Sequence, residues 1–223
     1  MWFQSKGGVV INNNRYSLLE EIVNSITHGI GFFLSVAGIT VLIVLGSIRG
    51  DAWRVVSFSV YGVTLIVLYA ASTLYHSLHA TRARDALRVI DHSAIYLLIA
   101  GSYTPFALVS LRGPWGWSIF GVTWGLALAG IAVKIFFMKK SLVISTAIYL
   151  AMGWLSIIAI RPIIESLPAK GLAWLLAGGA CYTIGAIFHF LKKTPFMHAV
   201  WHLFVMAGSI CHYFAVLFYV LPM

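Results

Sequence analysis

Charge is what this sequence has least of. Only 9% of its 223 residues are Asp, Glu, Lys or Arg, whereas 61% are apolar. A soluble domain carries about a quarter charged residues, so too few remain here to coat a globule with water-facing charge. Cysteine is nearly absent as well. Cys181 and Cys211 are the two present, and each falls in the middle of an apolar run. There each reads as a small apolar side chain rather than a disulfide partner or a metal ligand. Low-complexity segments and internal repeats are missing too. The first 25 residues are polar and do not carry the pattern of a cleavable signal peptide.

Long apolar runs fill the rest. A bilayer core about 30 Å thick takes about 20 helical residues to cross, and seven runs have that length: 26–48, 53–77, 89–111, 115–137, 142–161, 171–191 and 198–221. Short breaks marked by charge, Pro or Gly separate them, among them Arg49-Gly50-Asp51, Arg112-Gly113-Pro114 and Lys139-Lys140. These breaks leave no room for a soluble domain, and the runs lack the alternation of a membrane barrel. The predicted fold is all-α: one seven-transmembrane bundle over 26–223, preceded by a tail over 1–25. Within the tail, Ser17 and Glu20 have the spacing of a capping box. Leu18, Leu19, Ile22, Val23 and Ile26 then recur at helical intervals, which predicts a short amphipathic helix running into the first span.

The basic residues predict the orientation. Lys6, Arg15, Arg82, Arg84, Arg88, Lys134, Lys139, Lys140, Lys192 and Lys193 fall on one side; Arg49, Arg54, Arg112, Arg161 and Lys170 fall on the other. The richer side faces the cytoplasm, placing the amino end inside and the carboxyl end outside. The same bias accounts for the net charge of +9 without a nucleic-acid partner, whose site would need a basic face with room around it.

Ionisable residues within a membrane are costly and point to function. In this topology they gather at one depth, near the cytoplasmic boundary. His76 ends the second span, Asp91 and His92 begin the third, His189 ends the sixth, and His198 and His202 begin the seventh. Glu21, Asn24 and His28 form one stripe at the entry to the first, where a hydrogen-bonded helix contact is favoured over a direct catalytic part. His198 and His202 are four apart and share a helix face, as do Ser72 and His76. Three neutral imidazoles from two helices can close on one metal ion, leaving a fourth position for water as in catalytic zinc sites. Spacing alone also allows the pair to bond backbone or line a polar crevice. His79 is a competing ligand one turn beyond His76, though an interfacial role suits its position near the loop. His92 points about 100° away from Asp91 on the helix and reads as a packing residue. His189 is a candidate supporting residue. His212 lies roughly 21 Å along the axis from His198, too far to share an ion.

Three signatures, Glu21-x2-Asn24-x3-His28, Ser72-x3-His76 followed by Asp91, and His198-x3-His202, resemble in order and spacing those of the progestin and adipoQ receptor family. The bacterial hemolysin III branch is the closer likeness, through Tyr75-His76-Ser77, the run from Ile90 to Tyr96, Gly101 to Pro105, Tyr149 to Trp154, and His198 to His212. The resemblance implies a bacterial inner-membrane protein holding Zn2+ on His76, His198 and His202, with Ser72 and Asp91 as catalytic residues beside a bound water. It implies a hydrolase acting on the amide or ester of a membrane lipid and so influencing lipid homeostasis. The name of the branch offers a pore-forming, cytolytic or channel-like alternative, which the spans support poorly because no charged ring lines successive turns. A non-catalytic receptor or sensor is the third reading. Hormone receptors of the family carry a longer cytoplasmic amino-terminal region than is seen here.

Overall fold

In hydrocarbon a backbone must satisfy its own N–H and C=O groups, and an apolar run does so by becoming a helix. The computed structural model describes residues 17–78, 82–136, 142–191 and 194–221, and among these there are helices and no strands. They are α1 (Leu18–Arg49), α2 (Ala52–Ser77), α3 (Arg84–Pro105), α4 (Pro114–Phe136), α5 (Leu142–Gly153), α6 (Ile160–Ser166), α7 (Ala169–Phe190) and α8 (Met197–Tyr219). Six of them are long and apolar enough to cross a membrane, and α5 with α6 forms a broken seventh span. The chain is a multi-pass membrane protein. Around the bundle α2 packs between α1 and α3, α8 packs between α1 and α7, and α5 touches α3, α4 and α7.

The capping box is present. The Ser17 hydroxyl accepts from the Glu20 N–H at 3.2 Å, and the Ser17 N–H donates to the Glu20 carboxylate at 2.8 Å. The expected amphipathic segment is not a separate element but the first turns of α1, which runs unbroken for 32 residues. Its polarity is inverted relative to a soluble helix. Leu18, Leu19, Ile22 and Ile26 are exposed, while Glu21, Asn24, His28, Gly31 and Ser35 are buried. Apolar side chains gain nothing by leaving lipid, so small and polar residues face the neighbouring helices. Gly62 of α2 illustrates the closeness this permits, since a Cβ there would collide with Ile39 of α1.

The fifth span departs from the single run expected over 142–161. α5 ends at Gly153, a 3₁₀ turn covers Trp154–Ile157, and α6 runs on to Ser166 after a 57° bend. Residues 162–166, beyond the expected run, are therefore helical. Pro162 supplies one reason. It has no N–H to give and would strike the carbonyl of a preceding turn, so it is tolerated only in the first turn of a helix, where α6 places it. Tyr103 of α3 supplies the other. Its hydroxyl donates toward the carbonyls of Gly153 (2.6 Å) and Met152 (3.2 Å) and accepts the Ser156 N–H (3.0 Å). The Trp154 indole donates to Thr183 of α7 at 3.1 Å. Two of the sequence runs singled out above thus meet at the break and satisfy the backbone groups it frees.

Candidate metal centre

Two helix ends bring the three imidazoles together. His76 sits in the last turn of α2, with Ser72 one turn before it, and each is 1% exposed. His198 and His202 rise from the first turns of α8. That helix starts at Phe196, whose left-handed backbone (φ 62°) turns its N–H to the Glu20 carboxylate of α1 at 2.9 Å. One ring nitrogen each from His76, His198 and His202 lies within 4.8 Å of the other two, and all three residues are buried. Their ring centroids are 4.6 to 5.2 Å apart.

Neighbouring groups fix the ring orientations. Glu21 is 1% exposed, and its carboxylate takes the His76 Nδ1–H at 2.6 Å while its other oxygen pairs with Arg84 at the start of α3. With the proton held on Nδ1, Nε2 of His76 carries the lone pair that could bind a cation, the arrangement by which carboxylates orient metal-bound histidines. His202 Nδ1 lies 3.3 Å from both the Asn24 carbonyl and the Thr27 hydroxyl, which directs its Nε2 lone pair inward in the same way. His28 stacks on His202 with centroids 3.5 Å apart. Around this cluster the Ser72 hydroxyl, the Asn24 side-chain amide and both ring nitrogens of His28 are buried without a hydrogen-bond partner among the described residues. Leaving such groups unsatisfied costs about 1–3 kcal/mol each. Three converging imidazoles amid polar atoms of this kind fit a bound metal ion with its associated water.

Asp91 is not among the three converging donors, but it lines the same cavity as Ser72, His198 and His202. Its carboxylate lies 3.3 Å from His92 Nδ1, so the His92 ring folds back to Asp91 instead of serving only as packing. Tyr149 anchors the same turn by donating to the His92 carbonyl at 2.8 Å. His189 is buried, with its ring 5.7 Å from that of His198 and 5.0 Å from that of Trp201. His79 lies outside the described residues. Arg84 and Thr27 were missed as site residues by the sequence reading. A buried glutamate needs a cation, and that requirement is the signal that could have singled out Arg84.

The cavity beside this cluster holds about 280 Å³ and is walled largely by apolar side chains, Leu68, Ile95, Leu98, Phe106 and Val205 among them. It continues to Ser166 and Leu167, at the far end of the broken span. Glu21→Gln is expected to weaken metal affinity 10- to 100-fold, the usual effect of losing a supporting carboxylate. Competition with a chromogenic chelator measures it. Unchanged affinity would reduce Glu21 to a tie between helices.

The family described as Haemolysin-III related matches residues 16–213. Hemolysin-3 of Bacillus cereus is 53% identical over 203 residues, covering 91% of this chain and 93% of that protein. The hemolysin-3 homolog of Bacillus subtilis (strain 168) is 49% identical over 204 residues, 92% of this chain and 96% of that one. Similarity extends to the human monocyte to macrophage differentiation factor, 29% identical over 212 residues, 92% of this chain and 87% of that protein.

Proposed function

The chain belongs to the haemolysin-III related family, and from that premise we propose that it is a zinc-dependent membrane hydrolase cleaving an amide or ester of a lipid. The observation that carries this reading is the trio of buried histidines, two of which, His198 and His202, line a long apolar cavity. A three-histidine set with no fourth protein donor, as here among the described residues, is the pattern of a catalytic zinc, while structural zinc sites are closed by four. His76, His198 and His202 would hold the ion, which when bound supplies a Lewis acid and lowers the pKa of water to about 7. Asp91 would take the proton of the attacking water as general base. The Ser72 hydroxyl, one turn from His76, would donate to the oxygen that gains charge as the carbonyl is attacked. The apolar wall would receive the lipid chain and keep bulk water from the reacting bond.

The test is to incubate purified, zinc-loaded protein with the host's own lipid extract and follow all species by mass spectrometry. One lipid class should fall as its fatty acid and its amine or alcohol appear. Zinc bound stoichiometrically with no lipid consumed would overturn the reading. A cytolytic reading draws support from the relatives' names, but an apolar wall suits a chain better than an ion.

The basic asymmetry supports a cytoplasmic amino end, with the site just inside the inner boundary. A reporter fused after Met223 is then expected to be active only outside the cytoplasm, and one fused at Lys140 only inside. Swapped activities would put the site at the outer leaflet.

A further inference from the structure

α8 begins without the usual means of starting a helix. A helix commonly opens on an extended residue whose side-chain oxygen accepts an N–H of the first turn. Phe196 holds that position here. It has no side-chain acceptor to offer, and it takes the left-handed backbone that bulky residues avoid. Pro195 before it has no N–H to give, and the Met197 N–H reaches the Thr194 carbonyl at a long 3.4 Å. Helix ends fray. Yet His198, the second residue of α8, belongs to the converging trio, and a ligand must be held to within about 0.5 Å of its working position.

What fixes this start comes from another helix. One carboxylate oxygen of Glu20 on α1 accepts the Phe196 N–H at 2.9 Å, while the other accepts the Ser17 N–H at 2.8 Å and the Ser17 hydroxyl at 2.9 Å. The bonds that close the capping box thereby aim the remaining oxygen at Phe196. The dipole of α8 also favours a negative charge at its amino end. The adjacent acid, Glu21, does the same service for α2 by holding His76. The first turn of α1 thus steadies both ligand-bearing helices, Glu21 through a ring nitrogen and Glu20 through a backbone N–H two residues before His198.

We propose that Glu20 is a positioning residue of the metal centre, pinning the strained start of α8 so that His198 converges with His76 and His202. The proposal rests on the reading of the three histidines as metal ligands, but it does not require that the centre turn over a lipid.

Zinc affinity of the purified full-length protein in detergent, measured against a chromogenic chelator, tests this without catalysis. Glu20→Ala is expected to bind zinc about tenfold more weakly, the worth of one charge-assisted hydrogen bond. Glu20→Gln keeps an acceptor for Phe196 and still serves a capping box, so it should stay within about threefold of the wild type. Ser17→Ala removes the capping hydroxyl but leaves Phe196 tied, and it should change little. A loss in Ser17→Ala equal to that in Glu20→Ala would assign the effect to the capping of α1 and overturn the proposal. The decisive arm is a rescue. Glycine takes a positive φ without strain, so Phe196→Gly added to Glu20→Ala should restore most of the lost affinity. A double variant no better than Glu20→Ala would overturn the proposal. Should Glu20→Ala fail to fold, Glu20→Asp, one methylene too short to keep both sets of bonds, should show part of the same loss. Wild-type affinity in either variant would overturn the proposal and leave the metal centre standing, whereas a wild-type protein that binds no zinc would remove both.

Discussion

His202→Ala is expected to lose the metal almost completely, where the unaltered protein is expected to hold about one zinc per chain. The imidazole removed is held from two sides. Its Nδ1 faces the Asn24 carbonyl and the Thr27 hydroxyl, and its ring lies flat against His28. Two imidazoles, His76 and His198, would remain, and a two-ligand remnant does not hold zinc against dilution. Elemental analysis of the purified variant beside the wild type measures the effect. His189→Ala is the matched control, because that ring is buried against His198 yet stands outside the converging group. It should keep most of the metal. If His79→Ala empties the site while His76→Ala does not, the ligand on α2 has been misassigned. Full zinc in His202→Ala would dissolve the centre altogether.

The sequence made this centre legible for a definite reason. A histidine in hydrocarbon is costly whatever its partners, so its presence is a signal, and a four-residue interval fixes which two share a face. Depth, read from span boundaries, then placed His76 opposite the pair. What spacing does not report is the rotation of one helix against another. Glu21 was therefore visible as an odd residue but not as the partner of His76, and Arg84 was visible only as a charge favouring one side of the membrane. His92 shows the same limit, since its ring turns back to Asp91 although the two residues diverge on the helix surface. The fold divides likewise. Six spans follow from length and hydropathy, which are properties of a run. The bend in the fifth follows from Pro162 and from a tyrosine hydroxyl on α3, fifty residues away from the Gly153 carbonyl in sequence. Hydropathy is blind to both. The polar inner stripe of α1 was legible at Glu21, Asn24 and His28, because these residues are out of place in lipid, and illegible at Ile39 and Leu42, which are buried but apolar like the residues that face lipid.

Asp91→Asn is expected to leave the metal largely bound and to cut lipid turnover by 10²- to 10⁴-fold, the usual contribution of a positioned base. The two halves of that result come from different observations. Metal should stay because the converging donors are the three histidines, with Asp91 outside the group. Turnover should fall because Asp91 is, among the described residues, the carboxylate that lines the cavity beside Ser72, His198 and His202. Asparagine keeps the shape and one acceptor toward His92 while removing the charge, so the substitution perturbs chemistry more than packing. Zinc content and lipid hydrolysis should be measured on the same preparation. Zinc lost in step with activity would make Asp91 a ligand and the centre four-coordinate from protein alone, the structural pattern. Full activity in Asp91→Asn would move the base elsewhere. Only retained zinc with lost turnover matches the division of labour that the geometry supports, with three histidines holding the ion and one aspartate working beside it.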